Sequence, residues 1–167
     1  MKQKYIAQLA YLAGIVDGEG SFILSYRQRM LNGYLRNSYE QKISISQKDG
    51  RIMDWLKGTF GGFVRWQKIE SHMYQWIITD YKAYELTKRM LPFLRYKNDQ
   101  ARLFIRYFER RKCDKSRDRF NRFSSLSEHE IEEREKLIRE IKSLKHSWRE
   151  CAAVETKCED SSNEEKL

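Results

Sequence analysis

At 167 residues the chain has the length of one ordinary domain with room for a buried core. Its 33 Lys and Arg against 24 Asp and Glu, a net charge of +9, and its 13% aromatic content point first to a nucleic-acid partner and second to a membrane surface. No segment is apolar enough to span a bilayer and no lipidation signal occurs, which excludes a helical membrane span and weakens the second option.

Ile6, Leu9, Ala10, Leu12 and Ala13 cluster at helical spacing, so the chain is expected to open with a helix ending in Asp17-Gly18-Glu19-Gly20. Residues 21–29 then alternate apolar and polar. After a loop with Asn32-Gly33, residues 38–47 alternate more cleanly, with Tyr39, Gln41, Ile43 and Ile45 on one face. Asp49 can cap a short helix carrying Ile52, Met53, Trp55 and Leu56 that stops near Gly58. Gly61-Gly62 opens a third strand over 63–68, and 73–79 makes a fourth, with Tyr74, Trp76 and Ile78 inward if alternation holds. Residues 80–91 read as a helix halted by the single proline, Pro92, and 98–112 as a longer one with Ala101, Phe104, Ile105 and Phe108 inward. A basic stretch over 114–123 leads to a last helix, opened by the capping box of Ser127 and Glu130 and striped by Ile131, Ile138, Ile141, Leu144 and Trp148. On that helix Glu135 and Arg139, four residues apart, read as part of a solvated face.

This order predicts an α+β domain over 1–150, with a core at 5–112, a C-terminal helical extension at 113–150 and a disordered acidic tail at 151–167. Residues 1–112 hold 21 Lys and Arg against 10 Asp and Glu, so the positive surplus lies in the core. Cys113, Cys151 and Cys158 match no zinc spacing and read as reduced thiols of an intracellular protein. The amino terminus lacks a secretory apolar stretch, which is compatible with a bacterial cytoplasm or with an organelle (chloroplast or mitochondrion).

Four such strands form an antiparallel sheet with helices on one face, which leaves the other in solvent. Ser25, Arg27, Arg29, Ser38, Glu40, Lys42 and Ser44 are expected on the open face of the first two strands. Arg65, Gln67, Gln75 and Ile77 are expected on that of the last two. A basic ribbon of this kind can enter a DNA major groove, where polar groups reach base edges and Lys and Arg meet phosphates. Lys115, Arg117 and Arg119 are expected to touch the DNA backbone beyond the sheet.

Ala10, Gly14 and Gly18 recur every four residues and leave one face of the first helix nearly bare, so another backbone can approach it closely. A second copy of the helix is the simplest candidate, with Ala10, Ala13, Gly14, Asp17 and Gly18 at the contact. Asp17 points away from Glu19 and reads as a capping or hydrogen-bonding residue. Crossing two such helices brings two Glu19 carboxylates together, an oxygen donor set that suits Mg²⁺ and phosphodiester hydrolysis.

The run Leu12-Ala13-Gly14-Ile15-Val16-Asp17-Gly18-Glu19-Gly20 resembles the signature of the LAGLIDADG homing endonucleases, and the likeness covers about residues 5–112. The resemblance implies an αββαββα fold with a saddle-shaped four-stranded sheet and, because a single motif copy is found, a homodimer. It implies Glu19 as metal ligand together with the Gly18 main-chain carbonyl, and Gln47 positioning water at the end of the second strand. It also implies Arg51 in the solvent network, and Lys97 of Pro92-Phe93-Leu94-Arg95-Tyr96-Lys97 near the scissile phosphate. There Lys97 would stabilise the transition state, set the protonation of water, or simply bind phosphate. The activity so implied is Mg²⁺-dependent double-strand cleavage of a long pseudo-palindromic DNA site, leaving 3′ overhangs, by an intron-encoded enzyme. The alternative is an RNA-binding maturase that acts on its own intron RNA, on the same scaffold and without cleavage.

Overall fold

The computed structural model describes residues 2–31, 34–67, 72–113 and 128–161. Helix α1 (Lys2–Glu19) leads into strands β1 (Gly20–Leu31) and β2 (Tyr34–Gln47), followed by helix α2 (Gly50–Phe60). Strands β3 (Phe63–Gln67) and β4 (Met73–Thr79) come next. Helix α3 (Asp80–Met90), a single 3-10 turn (Leu91–Phe93), helix α4 (Asn98–Cys113) and helix α5 (Glu128–Ser161) complete the chain. The four strands form one antiparallel sheet in the order β1-β2-β4-β3, so the α+β class and the αββαββα order hold. Among the described residues no helix is long and apolar enough to cross a membrane.

The elements depart from their sequence-predicted bounds for local reasons. Strands β1 and β2 pair residue for residue from Gly20–Ile45 out to Leu31–Tyr34, so the ladder includes positions whose own alternation is weak. Helix α2 runs through Gly58 to Phe60, because the positive φ needed for its C-cap is adopted by Gly61 (φ 78°), whose N–H donates to the Lys57 carbonyl at 2.9 Å. Helix α5 continues to Ser161, past the expected domain end at residue 150. Residues 162–167 of the expected tail and the Asn32-Gly33 loop lie outside the described residues.

The register sorts the two faces of the sheet. Phe22, Leu24, Ile43, Ile45, Trp76 and Ile78 share the helix-covered face and are buried. Leu9, Leu12 and Val16 of α1, Ala101, Phe104 and Tyr107 of α4, and Leu137, Ile138 and Ile141 of α5 close the core over them. Each large apolar side chain removed from water in this way contributes roughly 1.5–3 kcal/mol. The fully buried Gln41 amide donates from Nε2 to the Phe104 carbonyl at 2.6 Å, tying β2 to α4 inside that layer. The turn from α1 into β1 demands a glycine, because a Cβ on Gly20 would lie 2.6 Å from the Val16 Cα.

Candidate active site

Glu19, the last residue of α1, is exposed at one end of the sheet. Two positions before it, the Asp17 carboxylate turns to a different partner. It accepts from the backbone N–H groups of Arg95 (2.7 Å), Lys97 (2.9 Å) and Tyr96 (3.3 Å), the segment that precedes α4. Asp17 therefore ties the end of α1 to the turn that delivers Lys97, the structural role its sequence position suggested. The Lys97 ammonium donates to the carbonyls of Val16 (2.8 Å), Gly20 (2.8 Å) and Gly18 (3.4 Å). The Val16 and Gly18 carbonyls are among those a helix C-terminus leaves without intrahelical partners, and a cation there also meets the negative end of the helix dipole. Burial pushes the Lys97 pKa below its ordinary value, while Asp17 and Glu19 act in the opposite sense.

Gln47 ends β2 and is half-buried. Because Gly20 pairs with Ile45, the register brings Gln47 to the same sheet end as Glu19. Arg51 sits differently. Its guanidinium is 92% exposed and bound to Asp49, the N-cap of α2, with Nη2 to Oδ2 at 2.6 Å. Hydrogen bonds from the Arg51 side chain and backbone hold the Asp49 carboxyl down at about 2. The fold thus gathers Glu19, Gln47 and Lys97 at one end, while Arg51 is engaged with its own helix cap. A further cation near this end went unseen in the sequence. Lys145 of α5 is half-buried, its pKa pushed down by burial and then by the nearby charges of Lys97 and Lys142. No local signal marks it, because the fold alone packs α5 against α4.

One face of α1 is uncovered. Ala10, Gly14 and Gly18 are exposed, and a Cβ at Gly14 or Gly18 would meet nothing within 4 Å. Ile6 and Tyr11, about half exposed, border this strip. Ala13, expected at the helix contact, is instead wholly buried in the protomer's own core, since it shares the inward side of the helix with Leu9, Leu12 and Val16. Asp17 is likewise engaged within the protomer.

On the open face of the sheet, Ser25 donates to Glu40 (3.4 Å) and Lys42 pairs with the same carboxylate (3.1 Å). A second chain crosses three strands: Arg65 donates to Gln75 (2.6 Å), which donates to Ser44 (2.7 Å). Two expected contact residues are inaccessible. Ser44 is buried beneath the Gln75 amide, and Ile77, on inner strand β4 between Ser44 and Phe63, is only 3% exposed. Arg27, Arg29, Ser38 and Gln67 occupy strand positions of this face by register, but their side chains lie outside the described residues. Lys115, Arg117 and Arg119 also lie outside the described residues.

Among the described residues no three His, Cys, Asp or Glu side chains converge on a common point. The donors at the α1 tip, one carboxylate and one peptide carbonyl, are hard oxygen ligands of the kind Mg²⁺ takes, and they form an incomplete set that a second copy would extend.

An open four-stranded antiparallel sheet backed by helices is a fold this chain shares with solved homing endonucleases. I-CvuI, bound to the I-CreI target with magnesium and the DNA not cleaved, superposes at TM-score 0.65 with 19% identity, covering 84% of this chain and 83% of that one. The archaeal intron-encoded I-Vdi141I, complexed with DNA, gives 0.66 and 19% over 83% and 84% of the two chains. I-TnaI gives 0.59 and 20% over 85% and 96%. Among curated proteins no sequence matches the chain. The family described as LAGLIDADG endonuclease matches residues 12–112, and the chain belongs to that family.

Proposed function

We propose that this protein is a homodimeric, site-specific DNA endonuclease, encoded by an intron and acting in a bacterial cytoplasm or an organelle. It makes a double-strand break in a long pseudo-palindromic duplex by metal-dependent hydrolysis and leaves 3′ overhangs. The observation that carries this reading is the meeting of the exposed Glu19 tip, the Gly18 carbonyl and the tethered Lys97 ammonium at one end of an open sheet face. I-CvuI and I-Vdi141I are solved in complex with DNA, which supports a duplex as the partner here.

Glu19 and the Gly18 carbonyl would hold a divalent ion such as Mg²⁺, which when bound supplies charge neutralisation at the phosphate and a more acidic water. Lys97, held by three carbonyls, presents a fixed positive charge where negative charge builds on the scissile phosphate. Gln47 orients water through its amide, and Arg51 extends the cationic rim from the start of α2. One Glu19 per chain serves one strand. A second copy packed on the Ala10, Gly14 and Gly18 strip supplies the other tip, and two equivalent sheets then read two half-sites.

The test is to select cleaved duplexes from a randomised library with Mg²⁺, then to compare wild type with Glu19→Gln on the selected site. Cleavage should fall by at least about a hundredfold while a gel shift shows binding retained. Mg²⁺-dependent cutting at the wild-type rate by Glu19→Gln refutes the assignment. Accelerated splicing of intron RNA without DNA cutting would establish the maturase instead.

A further inference from the structure

On the helix-covered side of the sheet, behind the open-face positions of Ser25 and Glu40, Tyr26 and Tyr39 face each other across β1 and β2 with ring centroids 5.0 Å apart. Among the described residues they are the outermost side chains of this hairpin that pack on the core, and Met30 farther out is 68% exposed. Arg27, Arg29 and Ser38 lie on the strand positions beyond the pair.

The group beneath the pair is a charge. Arg134 of α5 is only 5% exposed, and its guanidinium carbon sits 5.1 Å from the centre of the Tyr39 ring. Its Nε donates to Glu130, one turn earlier, at 2.9 Å. Glu130 and Glu133 also hold Arg110 of α4, at 3.8 and 2.9 Å. A buried cation without a partner is strongly destabilising, but here carboxylates neutralise it and an aromatic face attracts it. The Tyr39 hydroxyl is buried with no hydrogen-bond partner among the described residues, so α5 grips the ring and not the hydroxyl.

We propose that Arg134 is a positioning residue for DNA recognition: held between Glu130 and the Tyr39 ring, it sets the angle at which the outer β1–β2 ribbon meets the duplex. This rests on reading the open face of the sheet as the DNA-contact surface. Strand β1 continues five residues past Tyr26, to Leu31. That length spans roughly 17 Å, so a tilt of about 10° at the tyrosine pair moves the strand end by about 3 Å, enough to break contact with a base edge. The Glu19 and Lys97 end lies on the other side of the pair and stays in place. The α5 half of the clamp, Glu130 and Arg134, lies outside residues 12–112, the segment matched by the family, while Tyr39 lies within it.

Binding-site selection from a randomised duplex library, in metal-free buffer, tests this with the wild type, Arg134→Met, Tyr39→Leu and Tyr39→Phe. Arg134→Met and Tyr39→Leu should each lose about tenfold in discrimination at the outer base pairs of each half-site and keep the inner ones. Single-turnover cutting of the selected duplex should stay within about twofold of wild type, and the double variant should lose no more than either single. Tyr39→Phe should keep the wild-type profile. A uniform loss at every base pair, or an unchanged profile in both Arg134→Met and Tyr39→Leu, overturns the proposal. If Arg134→Met does not fold, Tyr39→Leu against Tyr39→Phe decides. A wild type that enriches no sequence overturns the DNA reading itself, and this inference with it.

Discussion

At the Glu19 end of the sheet the anchors are main-chain groups: Asp17 takes three backbone N–H donors, and Lys97 binds three backbone carbonyls. At the Tyr39 end the anchors are side chains, a tyrosine ring and two glutamates gathered around Arg134 and Arg110. Backbone partners are present whatever side chains their residues carry, so that end depends only on keeping Asp17 and Lys97. A side-chain clamp can be released by one substitution that touches no reacting atom. Under the proposed function, chemistry and sequence reading would then be supported by separate parts of the molecule.

That separation can be broken in the laboratory, and the largest effect should come from the lysine. Lys97→Met should slow cleavage of the selected duplex by about a hundredfold in single-turnover assays while a gel shift shows binding within a few-fold of wild type. An equal loss in Arg134→Met would show that the two ends are not independent.

A middle-sized effect is expected from two glycines of the same motif. Gly20→Ala places a methyl 2.6 Å from the Val16 Cα and 2.8 Å from its carbonyl oxygen, both backbone, and should destabilise the protomer by about 2 kcal/mol in urea unfolding. Gly14→Ala meets open space and should stabilise the protomer helix by up to about 1 kcal/mol. The same methyl should weaken self-association in sedimentation, because it fills the strip proposed to receive a second backbone.

The smallest effect is expected at the rim. Asp49 is held at about 2 against an ordinary value of 3.8, a lowered folded-state pKa. Its contribution to stability is therefore complete above pH 4 and lost as pH falls through 3.8 towards 2. The melting temperatures of wild type and Asp49→Ala should differ slightly at pH 6 and converge by pH 2. A gap that widened on acidification would contradict the Asp49–Arg51 pairing.

Much of the fold was readable from periodicity because each strand has one wet face and one dry one. Strand β4 matches its predicted span, and Tyr74, Trp76 and Ile78 fall on the helix-covered side as alternation required. Alternation also put Ile77 on the open face, correctly by register, yet it could not reveal that neighbouring strands bury that position. Helical spacing likewise singled out Ala10 and Ala13 as small residues without deciding which of them the core would take. Asp17 and Lys97 stand in different elements, and no spacing rule links them.

Two ion pairs on α5 mark the boundary between what sequence and tertiary structure decided. Glu135–Arg139 and Glu130–Arg134 share the same four-residue spacing. The first pair is the solvated one that spacing suggests, while the second is buried under the tyrosines of the sheet. By itself the sequence determined the αββαββα order, the glycine-flanked acidic tip and the bare helix strip, since each is written in residues close along the chain. Only the tertiary structure decided which small residue faces inward, which lysines approach the tip and which arginine packs beneath Tyr39. Those outcomes depend on packing between elements far apart in the chain, where burial turns an ordinary surface charge into a structural anchor.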